Sequence, residues 1–154
     1  MREILFRGMS QHTDEWVHGW YQPPIRNYGA AITIIADDGY FEDIRVRPET
    51  IGEFTGLLDK KGKKIFEGDI VELESHGYIP TLDRGVVIFK DGCFGIEYQS
   101  DVARRFGWEK TFHRIGTISE WRDMGASGTI TYTYEVIGNI YDNPELLENG
   151  EKHA

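Results

Sequence analysis

The chain has 154 residues, 40% of them hydrophobic and 13% aromatic, which is enough to build a folded core without disulfides or metals. No apolar run approaches the ~20 residues of a membrane-spanning helix, and 26 acidic against 17 basic residues weigh against binding to nucleic acid or anionic membranes. The single cysteine, Cys93, excludes an internal disulfide and a zinc site with two sulfur ligands.

The first part of the chain is predicted to form short strands, because runs of β-branched and aromatic residues alternate there with glycine and proline. The predicted strands are 3–7, 15–21, 30–35 and 40–46. The sequence DDG at 37–39 predicts a hairpin turn between the last two. Pro48 can begin a short helical turn that ends at Gly52. We place a boundary there, between an N-terminal β lobe (1–50) and a second unit (51–148).

The stretch KIFEGDIVEL (64–73) raises the question of a catalytic carboxylate pair, because Glu67 and Asp69 flank a glycine. Acid–base chemistry needs two carboxylates that converge in a pocket, and residues two apart beside a surface turn give no sign of one. We therefore interpret Gly68 as the corner of a β structure, in which the side chain of Asp69 accepts a hydrogen bond from turn amides.

The chain's main basic cluster lies just before that corner, around a turn predicted by DKKG (59–62). The cluster consists of Lys60, Lys61, Lys63 and Lys64. Loop tips of β-barrels can bind nucleic acid through such residues. The alternative is a solvated turn that discourages pairing of strand edges, and the acidity of the rest of the chain favours it.

Asp91-Gly92 predicts a two-residue hairpin turn between strands at 84–90 and 93–98. The resulting register pairs Lys90 with Cys93, Phe89 with Phe94, Ile88 with Gly95 and Val87 with Ile96. The face predicted to enter the core consists of Val87, Phe89, Phe94, Ile96 and Tyr98. Lys90 beside Cys93 would favour a thiolate, but no histidine is fixed next to it, so we favour a structural cysteine.

The rest of the chain predicts a short helix, a long strand and a terminal helical turn. Residues 99–107 (QSDVARRFG) suit a helix with Asp101 as its cap and with Val102 and Phe106 on one face. Residues 129–138 (TITYTYEVIG) alternate, which predicts a strand with one buried face; its residues are Ile130, Tyr132, Tyr134 and Val136. Asn143-Pro144 is typical of a helix start, and the tail 149–154 is expected to be flexible.

Four segments, in order, resemble the YopX family of bacteriophage and prophage proteins. They are MREILFRG, RPETIGEFTGLLDKKGKKIFEGDIVEL, GVVIFKDGCFGIEY and EVIGNIYDNPELL. The resemblance covers nearly the whole chain and implies a mainly β protein whose second part is an SH3-like β-barrel with short helical turns, following the N-terminal β lobe. It implies a phage or prophage origin and no biochemical activity.

Two positions depart from the family pattern. Arg47 stands where the family usually has aspartate before Pro-Glu-Thr, and arginine cannot cap the helical turn in the same way. Met9-Ser10-Gln11 stands where the family is commonly basic, which further weakens a nucleic-acid function.

We predict no catalytic residue, no metal and no cofactor. The chain lacks the GxxxxGK[ST], GxSxG and HExxH motifs. His12 and His18 are the closest histidines, and on one strand they would lie roughly 20 Å apart. The N-terminal residues alternate charge and bulk, unlike a signal peptide, so a cytoplasmic location in a bacterial host is expected.

Three functions remain, in order of preference. The first is a non-catalytic binding or regulatory module that acts on a host or phage protein, with exposed tryptophans as anchors. The candidates are Trp16, Trp20, Trp108 and Trp121, of which at least two are expected to be buried instead. The second is a nucleic-acid module that uses the four lysines with Arg104 and Arg105, and the third is a small metal-dependent hydrolase or nuclease. A homo-oligomer would be a reasonable way to cover edge strands.

Overall fold

A computed structural model describes residues 1–117, 119–123 and 125–148, without the side chains of 119–123. The protein is mainly β, with two antiparallel sheets and few short helices, as the sequence predicts. It divides into two compact units between Gly56 and Leu57, whereas the sequence suggested a boundary at residue 50. None of the described helices is long and apolar enough to cross a membrane. The tail 149–154 lies outside the described residues.

The first unit contains one antiparallel sheet. Its strands are β1 (Phe6–Met9), β2 (Trp16–Gln22), β3 (Ala31–Ile35), β4 (Phe41–Arg45) and β5 (Gly52–Leu58), the last of which runs past the division. Their spatial order is β4-β3-β2-β1-β5, so β4 lies at an edge. The last three predicted strands are confirmed to within one residue at each end, whereas the first, predicted at 3–7, begins three residues later and overlaps β1 only at residues 6 and 7.

The core of the first unit forms on one face of this sheet, because alternate residues of a strand point to the same side. Ile32 and Val46 are fully buried there. The partly buried residues packed around them are Phe6, Val17, Tyr21, Ile34 and Ile51. Gly19 is required by the close approach of β2 and β3: a Cβ there would lie 2.1 Å from the Thr33 carbonyl oxygen.

The turns of the first unit follow the predictions. In the hairpin at 37–39, the Ala36 N–H donates to the Tyr40 carbonyl oxygen at 2.9 Å. The helical turn is Pro48–Thr50, and Arg47 stands at its N-cap without a side-chain capping bond. The Arg47 guanidinium instead forms an ion pair with Asp14.

The second unit contains a six-stranded sheet that curls strongly into a half-barrel. Its strands, preceded by the short β6 (Lys64–Phe66), are β7 (Asp69–His76), β8 (Thr81–Lys90), β9 (Cys93–Tyr98), β10 (Thr111–Arg114), β11 (Ser119–Asp123) and β12 (Ala126–Asn139). Their order is β10-β9-β8-β7-β12-β11. The helices are α1 (Asp101–Arg105) and α2 (Glu145–Glu148). The buried core comprises Ile65, Val71, Leu73, Val87, Ile96 and Ile115.

The predicted register of the β8–β9 hairpin is confirmed at every pair. Val87 and Ile96 are buried, and Phe94 and Tyr98 pack against the core. The prediction was wrong for Phe89, which is 54% exposed. Phe89 lies at the hairpin tip, where its ring meets only the edge of Phe94, with centroids 5.0 Å apart.

Helix α1 begins one residue earlier than predicted. Its N-cap is Ser100, whose Oγ accepts from the Ala103 N–H, so the prediction of Asp101 as the cap was wrong. Either side chain suits an N-cap, and the sequence alone does not choose between neighbours. Val102 and Phe106 share a face, but both are exposed, while Ala103 is buried.

The alternation predicted for β12 is confirmed. Tyr132, Tyr134 and Val136 pack against the core of the second unit, whereas Thr129 and Thr131 are exposed. At the end of β12, the Asn143 Oδ1 accepts from the Asn139 N–H, which ties the turn before α2 to the strand.

Candidate functional site

The lysine loop (residues 59–64) is held in place by one buried carboxylate. Asp59 is 7% exposed. Its Oδ1 accepts from the backbone N–H groups of Lys61 at 2.9 Å and Lys63 at 2.8 Å. Its Oδ2 accepts from the Val136 N–H of β12 at 3.0 Å. The loop is therefore fixed from both sides.

The electrostatics of Asp59 reflect this role. Burial by itself raises the pKa of the Asp59 carboxyl, but the N–H groups of Val136, Lys63 and Lys61 outweigh it, so the pKa lies below 3.8. The carboxylate is thus ionised at neutral pH, and both of its oxygens accept backbone N–H groups, Oδ1 from the loop and Oδ2 from β12.

Two of the four lysines share one carboxylate on β12, which offsets one of their two positive charges. The Lys60 Nζ lies 3.0 Å from the Glu135 Oε2, and the Lys61 Nζ contacts the Oε1 of the same carboxylate. The hydrogen bond to Glu135 raises the pKa of Lys60, and the bonds from Lys61 and Lys60 lower the pKa of Glu135. Lys63 is exposed and Lys64 half-buried. The loop therefore carries less net positive charge than its sequence suggests.

The chain turns a corner at Gly68 within the 64–73 stretch, as predicted, and the Asp69 carboxylate stabilises it. Asp69 is 1% exposed, and its Oδ2 accepts from the Phe66 N–H at 2.8 Å. Gly68 adopts a φ of 86°, and its N–H donates to the Val87 carbonyl oxygen. The Asp69 carboxylate therefore fixes the turn between β6 and β7.

The tryptophans are more exposed than predicted. Trp16 is half-buried, and the Arg7 guanidinium carbon lies 4.6 Å from its ring centroid. Trp20 is 48% and Trp108 60% exposed, and the side chain of Trp121 lies outside the described residues. The expectation that at least two would be buried was wrong, since none of the three described ones is.

Trp20 belongs to an exposed apolar surface that we call the outer aromatic face: Trp20 on β2, Ile35 on β3 and Phe41 on β4. Ile35 and Phe41 are paired across the strands, and the Trp20 and Phe41 rings meet edge to face with centroids 6.0 Å apart. The exposed fractions of Ile35 and Phe41 are 59% and 72%. This face lies opposite the one that Ile32 buries.

The sequence analysis selected Trp20 but missed Ile35 and Phe41. Both could have been found from strand periodicity, because residues 32 and 34 of AITII point to the core and residue 35 therefore points outward. Phe41 then follows from the hairpin at 37–39, which places it opposite Ile35.

Trp108 forms a separate, smaller cluster with Phe106 after α1. Their rings stack with centroids 5.4 Å apart, and both side chains are exposed. The Gln99 amide donates to the Trp108 carbonyl oxygen at 2.8 Å, which fixes the backbone there.

A cavity of about 480 Å³ opens beside α1 and is bordered by three basic side chains. Each lies within ion-pair distance of a carboxylate: Arg84 of Glu72 at 2.9 Å, Lys110 of Glu97 at 3.5 Å and Arg104 of Asp101 at 3.7 Å. Glu97 and Glu148 also line it. The charges around the cavity are therefore paired, and the cavity is not an anion site. Arg104, which lines it, is paired with Asp101 and does not support a polyanion surface shared with the lysine loop.

His113 and Cys93 each have a hydrogen-bond partner in the structure. The His113 Nε2 lies 3.0 Å from the Tyr134 hydroxyl, which also accepts from the Gly116 N–H. Burial lowers the pKa of His113. The Cys93 thiol donates to the Lys90 carbonyl oxygen at 3.5 Å. Within the described side chains, no three histidine, cysteine, aspartate or glutamate residues are grouped to hold a metal.

Comparison with known proteins identifies the family. The profile of the YopX protein family matches residues 5–148, so the chain belongs to the YopX family, which confirms the resemblance seen in the sequence. It is 34% identical over 89 residues to the SPbeta prophage-derived uncharacterized protein YopX of Bacillus subtilis (strain 168), covering 57% of this chain. That match spans 53% of the relative, about half its length.

Among solved structures, the chain resembles protein EF1440 from Enterococcus faecalis. The TM-score is 0.48 at 25% sequence identity, over 96% of this chain and 99% of that one.

Proposed function

We propose that this protein is a non-catalytic binding module that engages a protein partner through the outer aromatic face. The observation that carries the proposal is the exposure of Trp20, Ile35 and Phe41 side by side on one sheet. Large apolar side chains that are exposed singly are common, whereas contiguous ones favour an interaction surface.

The geometry of this face suits tight binding. Aromatic side chains bury roughly 150–250 Å² each, and tryptophan is among the residues most enriched at binding hot spots. Trp20 on β2 and Phe41 on β4 already contact each other across β3, which restricts their side chains before association.

The charges favour a protein over a nucleic acid as the partner. The net charge is −9, and the two lysines at the tip of the lysine loop share the Glu135 carboxylate. A polyanion would have to compete with that carboxylate for Lys60 and Lys61, which lowers the gain from counterion release.

Asp69, one of the two carboxylates that the sequence raised for catalysis, has a structural role, as does Asp59 of the lysine loop. Asp59 and Asp69 are both buried and both accept backbone N–H groups that fix turns. Buried carboxylates that accept backbone N–H groups stabilise turns and are not placed to exchange protons with a substrate.

We further propose that the partner is a host or phage protein met in the bacterial cytoplasm. The single cysteine suits a reducing compartment, and the relative of Bacillus subtilis is described as prophage-derived.

The test is recovery of a partner by tagged protein from phage-infected or lysogenic cells, with and without nuclease. Trp20→Ser and Phe41→Ser are compared with a matched control, Tyr78→Ser, which alters an equally exposed aromatic residue, 76% exposed, in the second unit. We expect a stoichiometric protein that survives nuclease treatment and is lost with both variants but retained with the control.

Two results would overturn the proposal. One is a partner that all three variants recover equally well. The other is recovery of nucleic acid alone, which disappears when Lys60, Lys61, Lys63 and Lys64 are changed to serine.

A further inference from the structure

We propose that the partner adds an extended, basic strand to the free edge of β4, so that its apolar side chains continue the outer aromatic face. This inference rests on the proposed function and deepens it, because it states how the partner binds and which chemistry it carries.

The backbone of β4 offers hydrogen-bonding groups to solvent. The Ala36 N–H donates to the Tyr40 carbonyl oxygen and the Val46 N–H to the Ala30 carbonyl oxygen, so residues 40 and 46 turn their backbone toward β3. In an antiparallel pair this direction alternates, and the backbone groups of Phe41 and Asp43 therefore point away from the sheet.

The open part of the edge is short. Beyond Asp43, the Arg45 carbonyl oxygen accepts from the Gln11 N–H at 3.0 Å, so the loop after β1 covers that end. A partner can thus pair with Phe41 and Asp43, and β-strand addition to a sheet edge is an established mode of peptide recognition.

The charge around this edge selects a basic partner. Asp37 and Asp38 occupy the hairpin tip, and Glu42 and Asp43 lie on β4 itself. Asp43 accepts from the Thr33 hydroxyl at 2.5 Å, and none of the four carboxylates belongs to an ion pair within the described side chains. A strand that carries lysine or arginine would place opposite charges across the new pair, which stabilises it.

A second copy of this chain is a poor occupant. In the antiparallel registers of β4 with itself that are centred on Asp43 or Glu42, Asp43 lies opposite Asp43 or Glu42 opposite Glu42, and like charges directly opposite are destabilising. The same acidic side chains protect the edge against unwanted self-association.

The added strand would also use the apolar surface. It would lie ~4.8 Å beyond β4, and every second side chain of it would fall on the side of Phe41 and Trp20. Its apolar side chains would extend the face beside Phe41, and its basic side chains would lie on the other face of the sheet, on the side of Glu42. A strand of alternating basic and apolar residues therefore fits both.

The probe for the test is a short, capped, fluorescein-labelled peptide that alternates lysine with valine. Two controls separate the contributions: glutamate in place of lysine removes charge complementarity, and N-methylation of alternate amides keeps charge but blocks strand pairing. In anisotropy titrations of the full chain we expect both controls to bind at least about tenfold more weakly than the lysine peptide.

The matched variants of the protein are Asp43→Pro and Asp43→Asn. Proline removes the outward N–H and the side-chain acceptor of the Thr33 hydroxyl but leaves the backbone bonds between β4 and β3, whereas asparagine removes the charge and keeps an acceptor oxygen. We expect Asp43→Pro to weaken lysine-peptide binding more than Asp43→Asn, with circular dichroism as the folding check.

Equal binding of the N-methylated and unmethylated peptides would overturn strand addition independently of any variant. A wild-type dimer in sedimentation that Asp43→Pro makes monomeric would also overturn it, in favour of a second copy. Either result leaves the proposed function standing if Trp20→Ser still loses the partner recovered from cells. Retention of that partner by Trp20→Ser would overturn the proposed function itself.

Discussion

The lysine loop and the outer aromatic face differ in how the rest of the fold treats them. Lys60 and Lys61 share the carboxylate of Glu135, so part of the positive charge of the loop is offset within the second unit. Trp20 and Phe41 meet mainly each other and solvent. A local run of suggestive residues is therefore a weaker sign of function than a group of residues that the fold leaves without cover.

The difference follows from position. The lysine loop packs against β12, where the Tyr134 carbonyl oxygen accepts from the Lys60 N–H at 2.8 Å. The aromatic face lies on the side of the first sheet opposite its core, next to the edge strand β4. Changes in the loop should therefore affect stability, and changes in the face should affect binding.

The largest effect is expected for Asp59→Ala, which removes the acceptor of three backbone N–H groups. Leaving buried donors unsatisfied costs 1–3 kcal/mol each in general, and partial hydration of an opened loop reduces the sum, so we expect a loss of about 3 kcal/mol. Urea denaturation measures it.

The control is Phe41→Ser, which changes a more exposed position and should alter the free energy of unfolding by less than about 0.5 kcal/mol. If the two variants are equally stable, the distinction between a loop that stabilises the fold and a face reserved for binding is wrong.

The sequence predicted what depends on local pattern. Strand periodicity and the Asp91-Gly92 turn led to the β8–β9 register, which is confirmed at every pair. These features depend on neighbours in the chain and on the alternation of side chains, both of which can be read directly.

What the sequence could not predict depends on residues far apart. Asp59 reaches Val136, 77 positions away, and Lys61 reaches Glu135, 74 positions away. Exposure is equally non-local: Phe89 has the right strand face but lies at a hairpin tip, where it is 54% exposed.

A smaller effect, dependent on pH, is expected from His113, which lies beside the strand that holds the lysine loop. Burial keeps its folded pKa below the ordinary value of 6.5. A proton therefore binds the unfolded chain more readily, and the stabilising contribution is complete above pH 6.5 and is lost as the pH falls through 6.5 toward the folded pKa.

Replacing His113 with phenylalanine should flatten this part of the stability profile, measured by urea denaturation at a series of pH values. His76→Phe is the control, because that side chain is 45% exposed and contacts Thr133 and Glu74 at the surface. An unchanged slope for His113→Phe, or an equal flattening by His76→Phe, would contradict the assignment.

The smallest effect on stability is expected from Glu135→Gln, because its ion pairs with Lys60 and Lys61 involve exposed lysine side chains, and such pairs contribute little. The change tests the comparison between the lysine loop and the outer aromatic face through charge and not through stability. It frees two lysines and removes one negative charge, so retention on a heparin column at low salt should increase slightly and disappear as salt is added.

The matched change in the first unit is Glu42→Gln on β4, which also removes one carboxylate but frees no lysine. If the lysine loop is balanced by Glu135, Glu135→Gln should shift elution more than Glu42→Gln, although both change the net charge equally. Equal shifts would mean that Glu135 does not restrain the loop. Strong retention of the wild-type protein, abolished by changing the four lysines to serine, would mean that the loop binds polyanions despite its carboxylate partner.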